Sequence, residues 1–241
     1  MSARPVLDDF GKDRFAEHPL LLAGKQLVAD RSGALVWPGE RLLVVADLHL
    51  EKGSARVERG SYLPPYDTRT TLGRLAGVIA RHDPDTVICL GDSLHDRKAG
   101  DRLLPDDLEV IAEMQAGREW LWITGNHDPV IPAGLGGTVA ADVTISGLTF
   151  RHEPSIESVG AEIAAHLHPA AKLVRHGYAT RRPCFFASGK RLVLPAFGAF
   201  TGGLNVLDEA FSGLISKDGF RVYMTGHEGV YPVATRDLRG D

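Results

Sequence analysis

The chain predicts an α/β fold, and two observations carry that expectation. Its first half alternates buried apolar runs with segments of helical spacing. Each of those runs ends in a polar cluster rich in Asp, His and Asn. Alternation of this kind argues for βαβ units with parallel strands.

The elements follow in order. Residues 24–36 read as two short strands around a turn at residues 31–33. Residues 42–46 (LLVVA) form a continuous apolar run and so a buried strand. In residues 67–81, Leu72, Leu75, Val78 and Ile79 recur at helical spacing, with Asp67 or Thr68 as the expected N-cap. A second buried strand is expected at residues 86–90 (TVICL) and a third at residues 120–124 (WLWIT). Between them, residues 106–115 read as a helix opened by Pro105 and stopped near Gly117. After Gly147 the pattern turns β-rich, with short strands expected at residues 148–151, 162–165, 172–174, 191–194 and 221–224. There is no internal repeat or linker, so residues 1–241 are expected to form one domain.

Composition narrows the class. Of 241 residues, 44% are hydrophobic and 24% charged, which fits a globular chain with a real core. No apolar run reaches the roughly 20 residues a membrane helix needs. The polar N-terminus MSARPVLDDFGKDRF lacks the apolar stretch of a secretory signal, so a cytoplasmic location is expected. The two cysteines, Cys89 and Cys184, imply neither a disulfide framework nor a thiolate metal site, and Cys89 reads as a small buried hydrophobe. A net charge of −4 argues against broad, non-specific binding to nucleic acid but leaves room for a local basic groove.

The polar clusters carry the chemistry. Asp47-Leu48-His49 follows the first buried strand, Gly91-Asp92 the second and Gly125-Asn126-His127-Asp128 the third. In the β-rich half come His152 and then His166-Leu167-His168. Ligands of α/β sheets bind beyond the carboxyl ends of the strands, so parallel strands would bring these clusters to one edge. Asp-x-His and His-x-His, leaving a strand at period two, would send both side chains the same way. Carboxylates and neutral imidazoles suit Mn²⁺, Fe²⁺ or Zn²⁺. The seven candidate ligands are Asp47, His49, Asp92, Asn126, His152, His166 and His168. One ion takes about four protein ligands, so seven suggest two ions sharing a carboxylate. Two divalent ions outweigh Asp47 and Asp92 and leave a positive pocket, which suits a phosphate bridging ions about 3.5–4 Å apart.

The ordered set DLH, GD, GNHD, H and HLH, spanning Asp47 to His168, resembles the calcineurin-like metallophosphoesterase superfamily. Where that superfamily usually has GHxH, this chain has AHLH, with Ala165 in the glycine position. The resemblance implies an α/β fold, the four-layer αββα double β-sheet sandwich of metallo-dependent phosphatases. It implies that Asp47, His49, Asp92 and His168 hold one ion. Asp92, Asn126, His152 and His166 would hold the other, with Asp92 bridging. It further implies that His127 protonates the leaving group and that Asp128 orients it. Over nearly the whole chain, ADLHLEKG, LPPYDTRTTL, LGDSLHD, GNHDP, FRHEP, HLHPAA, RRPCF and LPAFGAFTGGLN are similar to the bacterial ligase-associated DNA-damage-response endonucleases called PdeM. That similarity implies a Mn²⁺-dependent phosphodiesterase acting on DNA in repair, alongside a DNA ligase, an Lhr-type helicase and an exonuclease.

Other residues carry weaker expectations. His95 and Asp96 are candidate substrate contacts, or else order their loop by hydrogen bonds. Arg181-Arg182 and Lys190-Arg191 are local basic spots that would hold a nucleic-acid backbone if they face the metals. Residues 194–205 read first as packing under the site, with base stacking on Phe197 and Phe200 as the alternative. His18, His82 and His176 read as solvated, and His227 as structural. Two competing functions remain at this level: a small-molecule phosphatase or cyclic-nucleotide phosphodiesterase, and a non-catalytic metal-binding scaffold in a repair complex. The presence of His127 and Asp128 argues against the scaffold, which needs no acid.

Overall fold

A computed structural model describes residues 17–58, 60, 66–157, 160–175 and 177–241. The N-terminal polar stretch, residues 63–65 of LPPYDTRTTL and His176 lie outside the described residues.

Among the described residues the strands form two sheets. The first contains β1 (Glu17–Leu22), β2 (Lys25–Asp30), β3 (Leu35–Trp37), β4 (Leu42–Val45), β5 (Thr86–Leu90), β6 (Glu119–Ile123) and β7 (Thr138–Ala140), in that spatial order. Its first four strands pair antiparallel, whereas β4 to β7 are parallel, as the βαβ pattern predicts. The helices are α1 (Lys52–Glu58), α2 (Asp67–His82), α3 (Ala99–Arg102) and α4 (Pro105–Gln115).

The period-two geometry of strands sorts this sheet's two faces. Leu43 and Val45 of β4, Val87 and Cys89 of β5, and Trp120 and Trp122 of β6 face the helices, where Leu72, Leu75, Val78 and Ile79 of α2 meet Ile111 and Met114 of α4. Leu42, Val44, Ile88, Leu90 and Ile123 point the other way, into the second sheet. With both faces covered, β4, β5 and β6 must be apolar throughout, which is why they read as continuous runs.

The second sheet contains β8 (Asp142–Ile145), β9 (Leu148–Arg151), β10 (Ala161–Ala164), β11 (Pro169–Arg175), β12 (Tyr178–Ser188), β13 (Arg191–Val193), β14 (Leu204–Asn205), β15 (Arg221–Thr225) and β16 (Val230–Val233). Its order is β14-β11-β12-β13-β10-β9-β8, with β15 and β16 branching from β12. Leu148, Phe150, Ile163, Phe185, Leu192 and Leu194 supply its half of the inter-sheet layer. On its outer face Cys184, Phe186, Val193 and Val222 are covered by Val206 and by Phe211 and Leu214, the latter two from a 3-10 segment at Glu209–Leu214. Each fully buried large side chain contributes roughly 1.5–3 kcal/mol. The inter-sheet layer therefore fixes how the two sheets' loops meet.

The N-cap expectation for α2 is corrected. Tyr66 occupies the cap and makes no side-chain capping bond. Asp67 instead accepts from the Gly53 amide (2.9 Å), and the Thr68 hydroxyl donates to Glu51 (2.8 Å). Both side chains are drawn to the turn that follows the Asp47–His49 motif, so they tie α2 to that turn.

Candidate metal centre

The turns after β4 and β5 interlock through backbone bonds, and the turn after β6 joins them where the His127 amide donates to Asp92 Oδ1 (2.9 Å). The Asp47 amide donates to the Gly91 carbonyl (3.2 Å), His49 to Asp92 (2.9 Å), Leu50 to Ser93 (2.9 Å), and His95 back to Leu50 (2.9 Å). From the second sheet, the Ala165 amide donates to the His152 carbonyl (2.9 Å), which joins the loop after β9 to the one after β10. Seven candidates from five loops thus meet at one edge.

They do not meet on extended strands. Asp47 (φ 52°), His49 (φ 44°), Asp92 (φ 47°), His166 (φ 70°) and His168 (φ 46°) are all left-handed. The period-two expectation is corrected accordingly: in each x-Leu-x triplet two left-handed residues flank a leucine with ordinary φ, and this curl aims both polar side chains into the site. Leu48 turns away into the helical core, and Leu167 packs against the outer core of the second sheet. A left-handed L-residue costs roughly 1–2 kcal/mol, and five of the ten left-handed non-glycine residues among those described are candidate ligands, in keeping with strain held at functional sites. The positive φ falls on both histidines of AHLH and not on Ala165. The departure from glycine therefore carries no backbone penalty. Gly91 is a different case: at φ +77°, a Cβ there would lie 2.3 Å from the His152 ring. It is the absent side chain at Gly91 that lets the imidazole reach Asp92.

Two ligand groups result. Potential ligand atoms of Asp47, His49 and His168 lie within 4.8 Å of one another, and so do those of Asp92, His152 and His166. In the first, His168 Nε2 is 3.2 Å from Asp47 Oδ1 and 3.3 Å from His49 Nε2. In the second, His152 Nε2 is 3.4 Å from Asp92 Oδ2, 3.2 Å from His166 Nδ1 and 3.1 Å from Asn126 Oδ1. Asp92 Oδ2 also lies 4.0 Å from His49 Nε2, which puts this carboxylate between the groups.

The electrostatics show strain of a second kind. Burial, with His168 beside it, lowers the His49 imidazole to about 2. Burial opposes charge on His152 too, but the hydrogen bond to Asp92 and the Asp47 charge raise it to about 9. Burial would raise Asp92, yet His152 and the His127 amide bring it down to about 2. Asp47 Oδ1 is buried and, although His168 Nε2 lies 3.2 Å away, accepts no hydrogen bond from the described residues. Facing imidazole nitrogens and an unserved carboxylate oxygen are poorly solved by protein groups alone. Divalent cations would satisfy them together, so the donor set fits a pair of such ions. The His152 Nδ1–H, donating to the Leu90 carbonyl (3.1 Å), leaves Nε2 as the ligating atom, a usual arrangement for a metal-bound imidazole.

His127 stands at the open side of this centre, with its side chain 39% exposed and Nε2 4.0 Å from Asp92 Oδ2. The expectation that Asp128 orients it is corrected. His127 Nδ1 donates to the His95 carbonyl (2.7 Å), and its ring stacks on that of His95 with centroids 5.6 Å apart. The buried Asp128 carboxylate accepts instead from the amides of Gly125 (2.9 Å), Leu94 (3.0 Å) and Asp92 (3.1 Å). It buttresses two ligand turns and, through burial, rises to about 6. His95 itself packs edge-on against His49, so the structure brings it into the site. Its carbonyl is a functional group that side-chain patterns could not reveal.

Three of the four side chains in the basic pairs are already engaged by other groups. Arg181 is held by Asp241 (3.0 Å) and the Gly203 carbonyl (2.7 Å), and Arg182 meets His227 Nε2 (3.1 Å). Arg191 is buried and bonded to Glu162 and the Ser155 carbonyl, so its expectation as a groove residue is corrected. His82 is also not solvated: its side chain is 11% exposed and Nε2 lies 3.2 Å from Asp30. Phe197 is fully buried, with Arg74 over its ring, as expected of packing under the site, whereas Phe200 is 40% exposed.

A centre of this composition, at the carboxyl edge of a parallel sheet and faced by a second sheet, defines a metal-dependent phosphoester hydrolase. The chain belongs to the calcineurin-like phosphoesterase family, whose profile matches residues 40–231. Among solved structures it is similar to the Pseudomonas putida nuclease MPE, with 30% identity, 90% of this chain and 100% of that one covered, and a TM-score of 0.69. A lesser likeness is to the E. coli phosphoesterase Yfce, at 16% identity, 80% and 98% coverage and a TM-score of 0.40. No curated protein sequence matches significantly. No described helix is long and apolar enough to cross a membrane.

Proposed function

We propose that this chain is a Mn²⁺-dependent phosphodiesterase that cuts DNA. The observation that carries the chemistry is the meeting of two buried Asp/His groups at Asp92, with His127 at their open side. The likeness to a nuclease over its full length supports the substrate class.

Asp47, His49, Asp92 and His168 would hold one ion, and Asp92, Asn126, His152 and His166 the other. When bound, the ions supply Lewis acidity toward the phosphoryl oxygens and a nucleophilic water. The rest falls to the chain. His127, its Nδ1–H fixed on the His95 carbonyl, presents Nε2 to give a proton to the departing oxygen. Asp128 positions rather than reacts, because its oxygens are taken by the amides of the two ligand turns. His95 would contact the substrate phosphate from beside His127. Arg181 and Arg182 would do so only after leaving Asp241 and His227. The physiological setting in this reading is DNA repair in the cytoplasm, with a DNA ligase, an Lhr-type helicase and an exonuclease as functional partners.

The test is cleavage of single-stranded, nicked and flapped DNA with Mn²⁺, beside chromogenic diester and monoester substrates and an Asp92→Asn control. The expected result is DNA cleavage by the wild type alone, with the diester preferred over the monoester. Diester hydrolysis without any DNA cleavage would replace the nuclease by a small-molecule phosphodiesterase.

A further inference from the structure

The interlocked turns do more than place ligands: they bring two short cationic segments together at one margin of the site. Helix α1 begins at Lys52, directly after the Asp47–Glu51 turn, and the segment running into α3 begins directly after His95. A parallel bridge between Leu50 and Leu94 fixes where the two leave the site. Arg102, at the end of α3, then clamps them: its guanidinium bonds Ser54 Oγ (3.0 Å) on α1, the Glu51 carbonyl (3.4 Å) and Asp96 (2.9 Å).

This clamp uses the carboxylates nearest to hand. Asp96 is committed to Arg102 and to the Lys98 amide (2.8 Å). Glu51 is buried and receives the hydroxyls of Ser54 and Thr68 (2.8 Å for Thr68). The cations are left over. Arg56, Arg97 and Lys98 are exposed and Lys52 is half-buried, and among the described residues none of the four makes an ion pair. Lys52 and Arg56, four apart on one helix, lie on the same face and repel each other. The Lys52 ammonium is lowered by burial and by Arg56, against the opposing charge of Asp67. Exposed Asp101 is the acid that opposes them on α3. In contrast, the basic pair on β12 is already occupied, Arg181 by Asp241 and Arg182 by His227. In a chain of net charge −4, unpaired cations gathered at the margin of a phosphodiester-cleaving centre form a local field for a polyanion.

We propose that Lys52 and Arg56 on α1, with Arg97 and Lys98 ahead of α3, form the track that holds the phosphates of a DNA strand flanking the scissile one. This rests on the nuclease reading above. It assigns strand binding to this rim and not to Arg181 and Arg182.

The test is binding of a fluorescein-labelled, cleavage-resistant phosphorothioate oligodeoxynucleotide to the Mn²⁺-loaded full chain, read by anisotropy over a range of salt. Each phosphate contact contributes about 0.7 to the slope of log K against log salt for single strands. The Arg56→Ala/Arg97→Ala/Lys98→Ala variant should therefore bind with a slope shallower by about 2. The variant with Arg56→Lys and Arg97→Lys should keep the wild-type slope. A triple variant with the wild-type slope, in a protein that binds and cuts DNA normally, would overturn the rim and leave the nuclease reading intact. Loss of bound metal in the triple variant together with loss of DNA binding would assign these cations to the fold and overturn the track. A wild type without salt-dependent DNA binding would remove both readings.

Discussion

The Asp92–His152–His166 group and the Glu17–Asp30–His82 group have similar ingredients, each with potential ligand atoms within 4.8 Å of one another. Their surroundings differ. At Asp30 the carboxylate is fully buried, but Arg81 (2.8 Å), His82 (3.2 Å) and the Ser32 amide (2.8 Å) already serve it, and its backbone has an ordinary φ. At the metal centre no guanidinium of the described residues enters: imidazoles face one another, Asp47 Oδ1 accepts no hydrogen bond from those residues, and the backbone is left-handed at most of the candidate ligands. A histidine beside carboxylates is thus not by itself a metal site. What separates the two is whether the protein's own cations have already closed the electrostatic account.

Breaking the metal centre should have the largest effect. Asp92 lies between the two groups, so Asp92→Asn should lower metal content and abolish turnover together, as read by metal analysis beside a diester assay. Two full equivalents of metal with intact activity in that variant would remove Asp92 from its bridging place. His127→Gln should separate the acid from the ligands. Both ions should stay bound, while poor leaving groups lose roughly 10²–10⁴-fold in rate and nitrophenyl esters much less. An equal loss on both substrates, or lost metal, would contradict a role as acid.

The smallest effect is expected at Asp30 and bears on stability alone. Burial works against this carboxylate, but His82, Ser32 and Arg81 bring it down to about 2 from its ordinary 3.8. A depressed carboxylate stabilises the fold above its unfolded value and loses that contribution as pH falls through the folded one. Asp30→Asn should therefore cost about 2 kcal/mol at neutral pH, and the gap to wild type should close between about pH 4 and about pH 2. Metal content should not change. Urea denaturation across that pH range measures both points, and a gap independent of pH would show that packing, not charge, holds Asp30.

Much of this was legible from the residues because the relevant forces are local. Continuous apolar runs at β4, β5 and β6 announce strands covered on both faces, and the polar residues that end them fall at the sheet edge by topology alone. The longest strand of the second sheet, β12, was not legible. Its first half is exposed and carries Arg181, Arg182 and Pro183, so it lacks the alternation by which a strand is read; its pairing partners β11, β13 and β15 make it a strand. The ligand types were legible, but their left-handed backbone was not, because x-Leu-x is equally compatible with an extended strand. The true partner of His127 is a carbonyl, and no side-chain pattern encodes a carbonyl. The Asp30–His82 pair is 52 residues apart in sequence, and only the docking of α2 against β2 makes it a contact.

The left-handed turns narrow the choice of residues at these positions. Outside glycine, that backbone region is visited most readily by Asn, Asp and His, and Asp and His are among the side chains that bind hard and borderline divalent ions. At Asp47, His49, Asp92, His166 and His168 one short vocabulary thus meets two independent requirements, the shape of the main chain and the affinity of the side chain. Glycine keeps the turn but offers no ligand, and a β-branched apolar residue offers neither. Drift at these sites is therefore restricted on two counts, and the motif would stay readable in sequences that have diverged nearly everywhere else.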